Sequence, residues 1–343
     1  MNETDEQWMQ LALEAANEGR GRTSPNPNVG AVIVSEGELI GRGRHMMAGG
    51  PHAEIDALQN VALEHRERIA GSTIYVTLEP CCTHGKTPPC TEAILRAGIA
   101  RVVYAMDDPN PEHAGRAKTI LESAGVQVTV GVCESAAQSL LRPWIHFMQT
   151  GRPYVVAKAG MSVDGRIARR AGEGQWLTNE DSRHDAMELR AWADAILVGA
   201  ETVRQDDPAL TIRGEATAWK VQPWRVVLTR SGKLPEDCKL FTDAFDDRTL
   251  MWPGKNLFEV LEELGKLGVV VVLIEGGGQI FGQAFTADLV DEFHVYLAPL
   301  ICGTGKLAVD TDAFAGGSTI NLRLREVKQI SGDVKLLYDR EAG

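Results

Sequence analysis

The sequence lacks any long hydrophobic run. Across 343 residues the longest uninterrupted aliphatic stretch is Val269–Ile274, far below the roughly 20 apolar residues that cross a bilayer. Residues 1–6 are acidic and lack the basic flank and apolar core of a secretory signal. We therefore expect a cytoplasmic protein without membrane contacts, and we interpret Val269–Ile274 as a buried strand.

Positive charge and aromatic residues are also scarce. Lys and Arg number 35 against 47 Asp and Glu, giving a net charge of −12, and aromatic residues make up 6%. This charge repels phosphate backbones, so we expect no general nucleic-acid binding. A local basic pocket for a small anionic ligand is compatible with it. The length predicts about two domains of about 150 residues each.

Cysteine is sparse and unevenly placed. The six cysteines are at positions 81, 82, 90, 133, 238 and 302. A chain in a reducing compartment has little use for a disulfide framework. Three of the six lie between positions 81 and 90, which points to a metal site instead.

Helical and strand patterns alternate along both halves of the chain. In the first half, helices are predicted at 6–17, 52–63, 91–97, 118–124 and 136–148, and strands at 29–34, 39–44, 73–78, 101–106 and 126–130. In the second half, helices are predicted at 179–193, 257–267 and 279–287, and strands at 154–159, 195–198, 225–228, 269–274 and 292–298. Turn residues at 149–153 separate the halves. We therefore predict two α/β domains, at 1–148 and 152–343.

Three side chains of the first half form a candidate zinc site: His52, Cys81 and Cys90. Each cysteine is expected at or near the start of a helix, where the helix dipole favours the thiolate that binds metal. One imidazole and two thiolates leave a tetrahedral zinc ion with one open position, which is the catalytic arrangement. Water in that position has its pKa lowered to about 7.

Glu54 follows His52 by two residues and is the candidate proton shuttle between this water and a leaving amine. His-x-Glu followed by Pro-Cys and a second Cys is typical of zinc-dependent nucleobase deaminases, in which the Glu is not a ligand. The usual spacing has two residues between the cysteines, and here there are eight. Cys82 is an alternative ligand to Cys81, although Pro80 before Cys81 matches the deaminase pattern.

Several longer motifs of the sequence match those of a known enzyme family. They are Asn26-Pro27-Asn28-Val29-Gly30, His52-Ala53-Glu54, Thr77-Leu78-Glu79-Pro80-Cys81, Gly85-Lys86-Thr87-Pro88-Pro89-Cys90 and Asp108-Pro109-Asn110-Pro111. Together they closely resemble the bifunctional riboflavin-biosynthesis deaminase/reductase family. Lys158 to Arg166, Gln175 to Thr178 and Asp206 to Arg213 continue the resemblance into the second half. It implies a cytidine-deaminase-like α/β/α layered domain followed by a dihydrofolate-reductase-like α/β domain.

For the first domain the resemblance implies hydrolytic removal of the 2-amino group of a diamino-pyrimidinone ribosylamine phosphate. Its implied substrate contacts are Asn26, His45, Lys86, Asp108 and Asn110. The Lys86 ammonium suits a phosphate. From the residues alone, Asp108 and Asn110 are equally consistent with ordinary turn chemistry, since both precede proline.

For the second domain the resemblance implies reduction of the ribosyl group to ribityl by NADPH. The implied cofactor contacts are Gly160, Trp176, Thr202, Asp206, Gly277, Gly278, Gln279, Ile280, Phe281, Gly282 and Gln283. The implied substrate contacts are Gly174, Arg190, Leu210, Arg213 and Glu275. The glycine turn after the strand that ends at Ile274 suits a pyrophosphate, because backbone amides at a helix N-terminus bind anions, although a plain tight turn is an alternative.

Some positions depart from the family pattern. Gly174 stands where a serine usually contacts substrate, and Thr229-Arg230 replace a common Asp-Ser pair, with Arg230 a candidate contact to an NADPH phosphate. Two other functions remain open at this point. One is a nucleic-acid base deaminase with a structural C-terminal domain, which the negative charge disfavours, and the other is a non-catalytic zinc-binding module. The expected partner is a small phosphorylated pyrimidine, and the resemblance implies a homo-oligomer.

Overall fold

The structure is a computed structural model and describes residues 3–84, 88–110, 113–168, 176–311 and 319–340. The chain forms two compact units, residues 1–151 and 152–343. No helix among the described residues is long and apolar enough to cross a membrane.

The first unit contains one five-stranded sheet. Its strands are β1 (Gly30–Ser35), β2 (Glu38–Arg44), β3 (Thr73–Val76), β4 (Arg101–Tyr104) and β5 (Gln127–Val130), in the order β2-β1-β3-β4-β5. β1 pairs antiparallel with both β2 and β3, whereas β3, β4 and β5 are parallel. The carboxyl ends of β3 and β4 therefore lie at one edge, from which the loops of the candidate zinc site begin.

Helices cover both faces of this sheet. They are α1 (Glu3–Asn17), α2 (Ala53–Gln59), α3 (Cys90–Arg96), α4 (Arg116–Ser123) and α5 (Glu134–Thr150), with a short 3-10 helix at Leu63–Arg68. Apolar residues of α1 and α5, including Met9 and Leu141, pack on one face, and those of α2, α3 and α4, including Ile94 and Leu121, pack on the other. This confirms the predicted α/β/α layering.

A glycine brings α2 close to the sheet. A Cβ atom at Gly43 of β2 would lie 2.0 Å from the backbone nitrogen of Ala57, so a larger residue there would push the helix away. The close contact fixes the start of α2, and with it His52 and Glu54, against the sheet.

The second unit contains an eight-stranded sheet. Its strands are β6 (Tyr154–Ser162), β7 (Ala195–Gly199), β8 (Trp224–Leu228), β9 (Thr249–Met251), β10 (Val271–Ile274), β11 (Glu292–Ala298), β12 (Leu322–Ile330) and β13 (Asp333–Arg340), in the order β12-β13-β11-β6-β10-β7-β8-β9. The six strands from β11 to β9 are parallel, and β13 pairs antiparallel with both β11 and β12.

Five helices accompany this sheet: α6 (Glu180–Trp192), α7 (Ala200–Asp206), α8 (Lys239–Thr242), α9 (Leu257–Lys266) and α10 (Gly278–Thr286). α9 begins with a capping box formed by Asn256 and Glu259, which satisfies backbone donors at the helix start. Leu261 of α9 and Phe281 of α10 pack with Leu197 and Ile274 on one face of the sheet.

Several predicted boundaries are wrong. The helix predicted at 52–63 ends at Gln59 and gives way to the 3-10 helix, and the strand predicted at 269–274 begins at Val271. The prediction also missed α7, α8, β9, β12 and β13. In β12 most side chains are exposed because it is the edge strand of the sheet, so its hydrophobic alternation is weak.

Candidate active sites

His52, Cys81 and Cys90 come together in the first unit. His52 directly precedes α2, Cys81 follows β3 and Cys90 is the first residue of α3. The His52 Nδ1 atom lies 3.5 Å from Cys81 Sγ and 3.4 Å from Cys90 Sγ, and the three atoms all lie within 4.8 Å of one another.

This spacing fits a zinc ion. Zn–S bonds of about 2.3 Å and a Zn–N bond of about 2.0–2.1 Å at tetrahedral angles place the nitrogen and each sulfur about 3.5 Å apart. One nitrogen and two sulfurs leave the fourth position of a tetrahedron for water or substrate. Cys81, and not its neighbour Cys82, belongs to the cluster.

The backbone around Cys81 favours its thiolate. The sequence predicted each cysteine at or near the start of a helix. Cys90 begins α3, whereas Cys81 lies in the loop after β3, and its sulfur accepts a hydrogen bond of 3.2 Å from the Cys90 amide. A hydrogen bond from the Cys90 side chain, partly opposed by burial, lowers the pKa of Cys81 to about 4. The same contact and burial raise the pKa of Cys90. A cation bound to both sulfurs would displace that second proton.

Glu54 lies beside these three candidate ligands and is not part of the group. It is the second residue of α2, and its side chain is 3% exposed. Burial, together with the negative charge of Cys81, raises the pKa of Glu54 to about 7. A carboxyl group with this pKa exchanges protons readily near neutral pH, as a general acid and base must.

Asn26 and His45 form a hydrogen-bonded pair next to the cluster. The His45 Nδ1 atom lies 2.8 Å from the carbonyl oxygen of Pro51 and therefore donates, which leaves Nε2 to accept from the Asn26 amide at 3.1 Å. The His45 ring stacks edge-on against His52, with 5.5 Å between centroids. Burial lowers the pKa of His45, so the ring is neutral at pH 7.

The loop after β4 contains the other two described residues of the predicted substrate site. Asp108 is buried, and its Oδ1 accepts a hydrogen bond of 2.8 Å from the Asn110 amide. Burial raises the pKa of Asp108, with smaller contributions from the charges of Glu79 and Cys81. The predicted contact Lys86 lies outside the described residues.

The second unit contains a large cleft at the carboxyl ends of its parallel strands. The cleft has a volume of ≈ 1310 Å³, which is large enough for a dinucleotide and a small substrate. The predicted cofactor residues that line it are Gly160, Trp176, Thr202, Asp206, Gly277, Gly278, Gln279, Ile280, Phe281 and Gln283, and the predicted substrate residues that line it are Arg190, Leu210, Arg213 and Glu275. Gly282 does not line it and Gly174 lies outside the described residues.

The glycine turn after β10 has the shape of an anion cradle. Gly277 precedes α10 with φ +83°, and a Cβ atom at Gly278 would lie 2.3 Å from the carbonyl oxygen of Leu307. Gly282, one helical turn further, makes room for Asp310 instead of facing the cleft. The amides in the first turn of a helix favour an anion, so this helix start at the cleft suits the pyrophosphate of NADPH.

Arg190 and Glu275 form a bidentate ion pair whose side chains are 12% and 8% exposed. The Arg190 Nε and Nη2 atoms donate to the two Glu275 carboxylate oxygens at 2.7 and 2.6 Å, and Nη1 donates to the carbonyl oxygen of Thr211 at 3.0 Å. Burial opposes ionisation, but the positive charges of Arg190 and Lys158 lower the pKa of Glu275 to about 2. The pair therefore stays charged, and the Arg190 fork faces Glu275.

Sequence reasoning gave no role to two buried or cleft-lining charges. Lys158 lines the cleft from β6, and Glu79 is buried beside the zinc cluster. Each is a single charged residue within an apolar strand or at its end, which is the signal that would have singled it out.

Comparisons with known proteins identify a domain family for each of the two units. Residues 153–336 match the family model of the RibD C-terminal domain, and residues 2–106 match that of the cytidine and deoxycytidylate deaminase zinc-binding region. The riboflavin biosynthesis protein RibD of Bacillus amyloliquefaciens is 38% identical over 360 residues, which cover 97% of this chain and 95% of that protein.

Solved structures extend the similarity to the complete fold. A structure of Acinetobacter baumannii RibD covers 99% of both chains with a TM-score of 0.91 and 36% identity. The crystal structure of a diaminohydroxyphosphoribosylaminopyrimidine deaminase/5-amino-6-(5-phosphoribosylamino)uracil reductase from Thermotoga maritima covers 98% of this chain and 99% of that chain, with a TM-score of 0.87 and 31% identity. With relatives of this similarity over nearly its full length, the chain belongs to the RibD family of bifunctional riboflavin-biosynthesis deaminase/reductases.

Proposed function

We propose that residues 1–148 deaminate a diamino-pyrimidinone ribosylamine phosphate and that residues 152–343 then reduce its ribosyl side chain to ribityl. As a RibD family member the chain is a bifunctional enzyme with a zinc-binding deaminase domain and an NADPH-dependent reductase domain. The observation that supports the deaminase assignment most directly is the spacing of His52, Cys81 and Cys90, with the buried acid Glu54 beside them.

In the deaminase site we assign the ligands to His52, Cys81 and Cys90. Zinc held there supplies a Lewis acid that makes water nucleophilic at neutral pH. Glu54 accepts a proton from the attacking water and returns it to the departing amine, so that a C–O bond replaces a C–N bond and ammonia leaves. Its raised pKa suits both steps.

Around that centre we assign substrate binding to Asn26, His45, Lys86, Asp108 and Asn110. The neutral His45 ring is oriented by its hydrogen bonds to Pro51 and Asn26. Asp108 and Asn110 present a carboxyl and an amide from the loop after β4, groups that can hydrogen-bond the edge of a pyrimidine. The charge of Lys86 suits the phosphate.

In the reductase site the glycine turn, Trp176, Thr202 and Asp206 would hold NADPH, which supplies the hydride. Arg213 and Arg230 line the cleft without a hydrogen-bond or ion-pair partner in the described part of the chain. We assign Arg213 to the substrate phosphate and Arg230 to a cofactor phosphate. Arg190 orients Glu275, which is then placed to hold sugar hydroxyls.

The cellular setting is a further part of the proposal. A small phosphorylated substrate and a net charge of −12 favour a cytoplasmic enzyme that binds neither nucleic acid nor membranes. We expect a homo-oligomer, which light scattering of the purified protein measures directly.

Incubating the purified protein with the diamino-pyrimidinone substrate, with and without NADPH, tests the proposed function. We expect ammonia in both samples and a fall in NADPH absorbance that depends on prior ammonia release. A nucleic-acid base deaminase would consume no NADPH, and a non-catalytic zinc module would release no ammonia. Either result would overturn the proposal.

A further inference from the structure

Glu79 is a buried carboxylate that binds three backbone amides. Its side chain is 4% exposed. Oε2 accepts hydrogen bonds from the amides of Asp108 at 3.1 Å and Gly115 at 2.9 Å, and Oε1 accepts one from Ala117 at 2.9 Å. Within the described residues no Lys, Arg or His side chain pairs with it. Buried charges are usually paired with an opposite charge, so a carboxylate held by amides alone is an unusual arrangement.

The three amides belong to residues 108–117, a segment that runs from the connection after β4 into the first turn of α4, where Ala117 lies, and that the structure describes except at 111 and 112. This segment contains Asp108 and Asn110, the two described loop residues assigned to the substrate. Two further hydrogen bonds, from the amides of His113 and Ala114 to the carbonyl oxygen of Asn110 at 2.9 and 3.0 Å, shape the turn. Among the residues that the structure describes, these three amides have no acceptor other than Glu79.

Glu79 also stands two residues before the metal ligand Cys81. Its own amide donates to the carbonyl oxygen of Met106 at 2.9 Å, which ties the end of β3 to the end of β4. One residue therefore joins the segment that presents Cys81 to the segment that presents Asp108 and Asn110.

We propose that Glu79 is a positioning residue of the deaminase, which holds segment 108–117 so that Asp108 and Asn110 meet the substrate at the metal centre. This inference rests on the proposed deaminase function. It explains why a charged carboxylate occupies this position: both of its oxygens accept hydrogen bonds, and three donors converge on them. A glutamine has only one accepting oxygen and would turn its NH₂ group towards an amide donor.

The test is Glu79→Gln in the full-length, zinc-loaded protein. Loss of at least one buried hydrogen bond should raise the KM for ammonia release about 10- to 100-fold, with kcat within a few-fold of wild type and one zinc per chain retained. NADPH oxidation with the deaminated pyrimidine should stay unchanged, which shows that the chain is folded. Glu122→Gln, an exposed acid on α4, is the matched control and should behave as wild type.

Two further measurements separate positioning from a general structural role. In an Asn110→Ala background, Glu79→Gln should raise KM much less than it does in wild type, because both changes act through the same loop. Hydrogen exchange should speed up at the amides of residues 108, 115 and 117 while the β3 and β4 amides stay protected. If Glu79→Gln does not fold, Glu79→Asp provides the same test, since it keeps the charge and shortens the side chain by one methylene.

The outcomes distinguish this inference from the proposed function. If wild type and Glu122→Gln release ammonia but Glu79→Gln keeps a wild-type KM, Glu79 has no positioning role. If Glu79→Gln loses zinc together with kcat, Glu79 acts on the metal ligands. If its effect on KM is fully additive with that of Asn110→Ala, Glu79 does not act through this loop. Either result overturns the inference. If wild type releases no ammonia, the proposed function itself fails.

Discussion

Single buried charges with defined partners organise both sites at the residue scale. Glu54 is buried against the metal ligands, and Glu275 is held as a carboxylate by Arg190. Burial alone would neutralise such groups. Their charge states therefore depend on the neighbouring side chains, and removing one neighbour should affect function more than a typical surface substitution does.

Glu54→Gln should abolish most ammonia release, by about 10²- to 10⁴-fold, because an amide cannot transfer the proton. Bound zinc should remain near one per chain, since Glu54 is not among the three ligand atoms. Ammonia assay and metal analysis of the same sample check both expectations. Glu64→Gln, an exposed acid on the 3-10 helix, is the control. Loss of metal from Glu54→Gln would make Glu54 a ligand and refute its assigned role.

Arg190→Ala should weaken substrate binding in the reductase, because it leaves the Glu275 carboxylate buried without its cation. Removing one partner of such an ion pair destabilises the site by about 3–5 kcal/mol. NADPH oxidation should therefore fall at least about 100-fold, while the KM for ammonia release stays unchanged. Arg190→Lys keeps the positive charge but loses the bidentate guanidinium, so its rate of NADPH oxidation should lie between those of wild type and Arg190→Ala. As a control, Arg323→Ala removes a cation whose side chain is 66% exposed and paired with Asp339. Equal losses in both assays would contradict separate sites.

The residue types of the zinc cluster could be predicted from sequence, because metal chemistry restricts them to few patterns. The partners of Arg190 could not be predicted. The resemblance implied that Arg190 contacts the substrate, but Arg190 binds Glu275, which lies 85 residues further along and is brought to it by the packing of α6 beside β10. Glu79 was overlooked for the same reason, since its partners Asp108, Gly115 and Ala117 are 29 to 38 residues away in the sequence.

At the scale of elements, α6 depends on a side chain from outside the helix. The Lys220 ammonium donates to the carbonyl oxygens of Ala191, Trp192 and Ala193 at 2.7, 3.2 and 2.7 Å. Its side chain is 7% exposed, and burial lowers its pKa to about 8. It satisfies carbonyls that every helix leaves unpaired at its C-terminus, next to Arg190.

Lys220→Met should therefore destabilise the second unit by about 2–3 kcal/mol, since three partly buried carbonyls lose a charged donor. We expect the urea midpoint for loss of NADPH oxidation to fall, while the midpoint for loss of ammonia release stays the same. Lys233→Met, at an exposed position, should change neither midpoint. If the urea midpoint for loss of NADPH oxidation is the same in Lys220→Met as in wild type, the Lys220 ammonium does not stabilise the C-terminus of α6.

Most elements were predictable because their hydrophobic periodicity reflects burial on one or both faces. α9, for example, begins at Leu257 as predicted, where the Asn256 cap and the apolar stripe coincide. α7 was missed because its seven residues bury only Val203 among those described, so it has almost no apolar stripe. Thr202 and Asp206, which lie on α7, were therefore proposed as cofactor contacts from the resemblance alone, without a predicted helix at their positions.

At the scale of the whole molecule, two chemistries are placed in two compact units of one chain. The first unit offers nitrogen and sulfur atoms that could bind a metal, and the second offers a glycine turn and the guanidinium groups of Arg213 and Arg230, which have no partner among the described residues. The net charge of −12 gave no indication of the second site, because a few arginines in one cleft outweigh the average field locally.

The most direct test of the two-site account is to remove the metal and measure both reactions on one sample. Protein stripped of zinc by exhaustive chelation should lose ammonia release and regain it when zinc is restored. The same stripped protein should continue to oxidise NADPH with the already deaminated pyrimidine at the wild-type rate. Ammonia release that continues at full rate in metal-free protein, or NADPH oxidation that stops with it, would contradict the account.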